Sequence, residues 1–194
     1  MSAAERREQL LDVTKELVGQ QGFHDLSIEA IAKRAGITRP VVYAHFETLD
    51  ALLEAMLERE AVRALSQLAS ILPQALPEGG PPKDALLSAL RGYLETIQSD
   101  PVTWRLVLMP PEGAPRVLRE TVENGREAVV AALAQVVGAG LAPERPSPDP
   151  QLTARLLSAL SDEAARLLLR DPEQYPIERL MRHAEWLLGQ LIAD

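Results

Sequence analysis

The sequence predicts an all-α fold of about nine helices. Apolar residues recur at three- and four-residue spacing through almost the whole chain. Runs of alternating β-branched residues are absent, and clusters of proline and glycine cut the periodic stretches into helix-sized lengths.

The first helix is expected over 3–21, with Leu10, Val13 and Leu17 and the neighbours Leu11, Thr14 and Val18 as its inner stripe. Gly22 supplies its stop. Segments at about 28–34, 39–45 and 49–70 follow, the last with Thr48 as N-cap and Asp50 in its first turn. Residues 73–83 hold four prolines and two glycines and read as a loop. That loop is either a domain boundary or a surface connection within one helical body. Asp84 then caps a helix to about 99, and Asp100-Pro101 opens a short one to about 109, broken by the proline-rich 110–115. A long helix is expected at 116–137, a Gly/Pro-rich loop at 138–150, and final helices at 151–170 and 177–192. The expected division is a small N-terminal domain, 1–47, and a larger helical one, 48–194.

Composition narrows the function classes. Hydrophobic residues make up 46% of the 194, yet aromatics only 4%, so the core must be built from Leu, Ala and Val. The absence of cysteine excludes disulfide scaffolds, thiolate catalysis and Cys-ligated zinc. A formal charge of −8 makes the chain a poor generic polyanion binder, so any nucleic-acid contact must come from a local basic face. Residues 1–9 carry both signs of charge and no apolar run, unlike a signal peptide. The most apolar stretch, 128–142, is interrupted by Gln135 and two glycines and is too short for a membrane span. A soluble cytoplasmic protein with no membrane partner is therefore expected.

Enzyme signals are poor, and no metal or other cofactor is expected. His24, His45 and His183 lack metal-ligand spacing. Gly138-Ala-Gly140 follows no strand, and the prolines of Gly79-Gly-Pro-Pro-Lys83 remove the N–H groups a phosphate loop needs.

The informative stretch runs from Leu26 to Phe46. Ser27 is placed to cap a helix whose Ile28, Ile31 and Ala32 share one face. Gly36 lies where that helix must end, Ile37 turns back inward, and Thr38 can cap a second helix that tolerates Pro40 in its first turn. Val42 and Phe46, four apart, face the core. This is the layout of a helix-turn-helix at roughly 27–46, whose second helix turns Arg39, Val41, Tyr43, Ala44 and His45 toward solvent. Arg39 can donate two hydrogen bonds to a guanine edge, and Pro40 and Val41 can meet a thymine methyl. Tyr43 and His45 are placed to donate to phosphates. Lys33, Arg34 and Arg39 against Glu29 give this stretch a local charge of +2. Two short helices joined by glycine also occur in proteins that bind no DNA, and Tyr43 and His45 are equally ordinary as surface residues.

Gly36-Ile-Thr-Arg-Pro-Val-Val-Tyr-Ala-His-Phe-Glu-Thr-Leu-Asp-Ala-Leu-Leu53, together with Phe23 and Leu26-Ser27-Ile28, resembles the signature of the tetracycline-repressor (TetR) family over about residues 5–55. The resemblance implies phosphate contacts for Ser27, Thr38, Tyr43 and His45, and base contacts for Arg39, Pro40 and Val41. It departs at Leu49, where the family often carries a phosphate-binding lysine, so that contact is expected to be missing. It also implies a homodimer through the last two helices on an inverted-repeat operator, and a small-molecule pocket among helices five to seven.

The residues bear on both implications. Leu152, Leu156, Leu160 and Leu167 run down one side of helix eight, beside Leu157, Ala164 and Leu168. Ile177, Leu180, Met181, Ala184, Leu187, Leu188 and Leu191 cover more than one face of helix nine, which suggests a partner beyond the chain's own core. Tyr93, Trp104 and Met109 are either core or the lining of a ligand cavity. With few polar groups near them, an apolar ligand is favoured. The expectation is a repressor released from DNA by a small apolar ligand; a regulator controlled by a protein partner, or by no ligand, is the alternative.

Overall fold

The computed structural model describes residues 1–75, 82–110, 116–138 and 149–192, and among these the fold is all-helical. The expected loops at 76–81, 111–115 and 139–148, and the side chain of Leu191, lie outside the described residues. In chain order the helices are α1 (Ala3–Gln21), α2 (Ile28–Ala35), α3 (Arg39–Tyr43), α4 (Leu49–Ala75), α5 (Pro82–Ser99), α6 (Pro101–Leu108), α7 (Arg116–Gly138), α8 (Pro150–Arg170) and α9 (Ile177–Ile192).

α1 starts on a capping box. Ser2 Oγ accepts from the Glu5 N–H at 3.2 Å, and the Ser2 N–H donates to Glu5 Oε2 at 2.6 Å. Leu10, Leu11, Thr14, Leu17 and Val18 are its buried face, with Val13 half-buried at the edge. They join Ile31, Val42, Phe46, Leu52 and Met56 in one cluster that holds α1–α3 to the start of α4. Fully burying each large aliphatic contributes about 1.5–3 kcal/mol. A second cluster lies where α4, α5 and α6 meet α8 and α9, around Leu94, Ile97, Trp104 and Leu168. A third joins α5, α7, α8 and α9 through Leu86, Val130, Ala154 and Leu188. α4 takes part in both of the first two clusters, with Met56 and Leu57 in one and Ala64 in the other. At about 1.5 Å per residue its 27 residues reach roughly 40 Å. α7 crosses α4 closely at Gly125, where an added methyl would collide with Leu65 Cδ2.

Three boundaries and one cap differ from the sequence reading. α4 continues past Pro73 to Ala75, because a proline in the last turn forfeits only one backbone bond at an end that frays anyway. α5 begins at Pro82, which suits a first helical position, so Asp84 sits inside the first turn instead of capping it. α3 stops at Tyr43, and Ala44 and His45 form the turn into α4. Thr38 stands at the N-cap of α3, but its side chain makes no capping hydrogen bond.

Candidate nucleic-acid interface and ligand cavity

The helix-turn-helix is built by three local devices. Ser27 Oγ accepts from the Ala30 N–H at 3.1 Å, satisfying one of the free donors at the start of α2. Gly36 closes α2 at φ 69° and ψ 32°, a left-handed conformation that costs a residue with a Cβ about 1–2 kcal/mol. The Ile37 N–H then returns to Ala32 O at 2.9 Å, setting the angle at which α3 leaves. Pro40 stands in the first turn of α3, where a missing N–H is harmless.

α3 is held by Val42 alone among its own residues, which is fully buried, with Phe46 buried just beyond it. Arg39, Pro40, Val41 and Tyr43 are therefore exposed together, and His45 is half-buried in the following turn. Ser27 sits at the start of α2 and Thr38 is exposed at the start of α3. Leu49, where a lysine would reach a phosphate, is half-buried against the first cluster.

The charge near α3 is not as the sequence count suggested. Arg34 is taken up by Glu16 of α1, with Nε at 3.1 Å from Oε2 and Nη2 on Oε1. The hydrogen bond from Arg34 holds the Glu16 carboxyl below its ordinary value, and the guanidinium is raised in turn. Among the described residues neither Lys33 nor Arg39 has an ion-pair partner. Arg7, which sequence reasoning missed, places its guanidinium 4.3 Å above the Phe46 ring and donates to His45 O at 3.4 Å. It braces the turn that follows α3 from the N-terminal end of α1.

Behind this unit lies a polar junction of α1, α4 and α6. Glu60 is fully buried on the stripe Leu52, Met56, Glu60, Ala64 of α4. Lys15 Nζ stands 2.9 Å from Glu60 Oε2, 3.0 Å from Asp100 Oδ1 and 2.6 Å from Thr103 Oγ1. The Thr103 hydroxyl donates to Glu60, and Arg59 bonds Glu60 at 2.8 Å while also reaching Glu8 and Asp12. Burial pushes the Glu60 carboxyl up, but the hydrogen bonds from Thr103, Lys15 and Arg59 together outweigh it, and the group ends below its ordinary value. Asp100 is also lowered: burial raises it, and Lys15 and Thr103 more than compensate. Among the described residues no buried side-chain polar atom lacks a partner.

A cavity of about 370 Å³ opens among α4–α9, within the range of small-molecule sites. Its wall is mostly Leu, Val and Ala. Trp104 Nε1 is spent on Gln67 Oε1 at 3.1 Å, so the indole offers only its apolar surface. Tyr93 stands edge-on to Trp104 at 5.4 Å and donates to Asp162 Oδ1 at 3.0 Å. Arg126 Nη2 bonds the other carboxylate oxygen at 2.8 Å. Burial, then the Asp162 charge, pushes the Tyr93 hydroxyl well above its ordinary value, which keeps it a neutral donor. Tyr93 and Trp104 line the cavity; Met109 does not. It follows the end of α6 and packs against the second cluster. Asp162 and Arg126, the polar end of the cavity, were not legible, because each is an ordinary surface residue by helical periodicity.

Among the described residues no His/Asp/Glu group gathers as a metal site, and no helix is long and apolar enough to cross a membrane.

Comparison with known proteins agrees with this geometry. The family model described as "Bacterial regulatory proteins, tetR family" matches residues 10–56. The transcriptional activator FasR of Mycolicibacterium smegmatis is 33% identical over 103 residues, covering 53% of this chain and 45% of FasR. The chain thus spans about half the length of that relative. The transcriptional regulator BetI of Serratia proteamaculans is 29% identical over 160 residues, covering 81% of this chain and 77% of BetI. A TetR-like regulator from Rhodococcus sp. RHA1 superposes with a TM-score of 0.74 at 22% identity, over 100% of both chains. FadR from Bacillus subtilis, solved in complex with stearoyl-CoA, superposes with a TM-score of 0.66 at 16% identity, over 93% of this chain and 96% of FadR. The left-handed Gly36 turn and the outward-facing α3 both lie inside the segment 10–56 that matches the tetR-family model, and the described helices share the fold of the TetR-like regulator from Rhodococcus.

Proposed function

We propose that the chain is a repressor that binds an inverted-repeat operator as a homodimer and is released by a small apolar ligand. Residues 1–47 form the DNA-binding domain, and 48–194 the ligand-binding and dimerisation domain. One observation carries the reading. α4 begins directly behind α3 and its turn, and its Ala61, Ala64, Leu65 and Leu68 form a wall of the apolar cavity. A single helix therefore touches both the DNA-facing unit and the ligand space. The acyl chain of the stearoyl-CoA held by FadR, a protein of the same fold, is the kind of apolar body such a cavity suits. Exposed Leu152, Leu156, Leu160 and Trp186 on α8 and α9 support the dimer, since large apolar side chains in a row on a surface call for a cover.

In this reading Arg39 reads a guanine edge and Pro40 and Val41 pack on thymine methyls. Ser27, Thr38, Tyr43 and His45 fix the register on phosphates. With Leu49 in place of a lysine, one phosphate contact is missing from each half-site.

Arg39→Ala is expected to weaken the preferred operator by about 1–3 kcal/mol and to relax preference at one base pair per half-site. Tyr43→Phe is expected to weaken all sequences alike. Anisotropy titrations against a panel of operator variants separate the two, and identical profiles for both mutants would refute the assigned roles. FasR is named an activator, so transcription in vitro with and without the protein decides the sign of regulation.

A further inference from the structure

The apolar cavity has a neighbour of opposite character. A second space of about 220 Å³ lies in the groove between α7 and α8, and the side chains of Arg126, Ser158 and Asp162 line both. On its α8 side stand Arg155, Ser158, Asp162 and Arg166, three and four residues apart and so on one face of the helix. Arg126 of α7 closes it from the other side. Among the described residues of this wall, three guanidinium groups stand against a single carboxylate. That carboxylate is already satisfied: Tyr93 and Arg126 bond the two oxygens of Asp162 at 3.0 and 2.8 Å. The arginines are less committed. Arg155 holds Glu127 at 2.7 and 2.8 Å, and Arg166 holds Glu163 at 3.2 Å, both pairs reaching into water. Exposed ion pairs contribute little, so either guanidinium can turn to a new anion at small cost. Each also carries more N–H donors than these bonds use. Ser158 stands at the threshold, 6% exposed, and the part of its hydroxyl left open faces the two spaces.

We propose that the ligand is a hydrocarbon chain ending in an anion. The chain fills the apolar cavity, and the carboxylate or phosphate at its end lies between α7 and α8 against Arg126, Arg155 and Arg166, with Ser158 at the threshold. The inference rests on the ligand-responsive reading above and adds the chemistry of the ligand's polar end. Because the two spaces adjoin, an amphipathic molecule can leave water with its tail without drawing its charge into the Leu, Val and Ala wall. An anion in the smaller space gains charge-assisted bonds from the guanidinium groups, which are stronger than neutral ones. A cation there would meet three like charges and a carboxylate with both oxygens taken.

The test displaces the uncharged dye N-phenyl-1-naphthylamine, which brightens in apolar sites, from the wild-type protein at pH 7. Dodecanoate, dodecyl phosphate, dodecanol and dodecyltrimethylammonium, which share one tail, compete for it below their micelle-forming concentrations. At least one of the two anions should bind about tenfold or more tighter than dodecanol, with a ratio that shrinks as salt is raised, and the ammonium should bind weakest. The tighter of the two anions identifies the head as a free acid or a phosphate. Arg155→Gln, which gives up the exposed pair with Glu127, should lower the ratio of anion to alcohol affinity about fivefold. Equal affinity for the anions and dodecanol, tightest binding of the ammonium, or a folded Arg155→Gln protein that keeps the full ratio would each overturn the inference while leaving an apolar ligand in the cavity. A protein that binds neither the dye nor any of these competitors would overturn the inference and the ligand-responsive reading together. The wild-type comparison decides the matter even if Arg155→Gln fails to fold.

Discussion

Replacing Glu60 by alanine is expected to cost about 3–5 kcal/mol of folding stability, the usual consequence of breaking a buried ion pair from one side. The carboxylate is fully buried and bonded by Lys15, Arg59 and Thr103, so its loss opens a void at the centre of the junction and takes one partner from each, leaving Lys15 and Thr103 to Asp100 and Arg59 to the exposed Glu8 and Asp12. Lys15→Met should cost less, because Glu60 keeps Arg59 and Thr103. Acid should act through the same groups. Glu60 and Asp100 are both held below their ordinary values of 4.5 and 3.8. Their contribution is therefore complete above those values and is lost as pH falls through the lowered ones of the folded chain. Urea denaturation at fixed protein concentration, at pH 7 and at steps below 4.5, measures both effects. Glu60→Gln should flatten the acid limb. Equal slopes for wild type and Glu60→Gln would show that the junction contributes nothing to it.

An apolar ligand in the cavity is expected to weaken operator binding by about 5–150-fold, corresponding to a coupling of roughly 1–3 kcal/mol. Two physical routes lead from the cavity to α3. One is α4, which lines the cavity at Ala61–Leu68 and begins behind Phe46. The other is α6, where Trp104 lines the cavity while the adjacent Thr103 bonds both Lys15 of α1 and Glu60 of α4. A shift of α6 by a ligand pressing on Trp104 must disturb that junction. The ligand acts only through a difference in affinity between the two arrangements. In a Trp186→Phe background, Trp104 fluorescence reports occupancy, and anisotropy of labelled operator reports affinity. Saturating operator should weaken ligand binding by the same factor. A ligand that fills the cavity and leaves operator affinity unchanged would favour control by a protein partner instead.

The helices themselves were largely legible, because burial imposes a 3.6-residue period that the sequence displays. α1 matches its expected span, and α7, α8 and α9 come within one residue of theirs. The misplaced ends of α4 and α5 trace to proline, whose cost depends on its position in a helix: Pro73 is tolerated in a last turn and Pro82 opens a first one. The exposed face of α3 could be read because Gly36, Val42 and Phe46 leave the intervening side chains only one direction. The polar junction was harder. Lys15, Glu60 and Asp100 lie far apart in sequence, and only the apolar stripe Leu52, Met56, Ala64, broken by a glutamate, hinted at it. The arrangement of α8 and α9 left no such trace. Leu160 reads the same at a core, a cavity wall or an interface, and only its exposure in the fold separates these.

Selection of genomic duplexes by the purified chain, followed by footprinting, tests most directly whether α3 reads DNA. An inverted repeat should be recovered, with half-site centres about 34–36 Å apart or a multiple of that spacing. Protection should be centred on the bases facing Arg39 and lost with Arg39→Ala. Recovery of no sequence above bulk DNA, or a footprint indifferent to Arg39, would contradict the assignment of α3 as the reading helix.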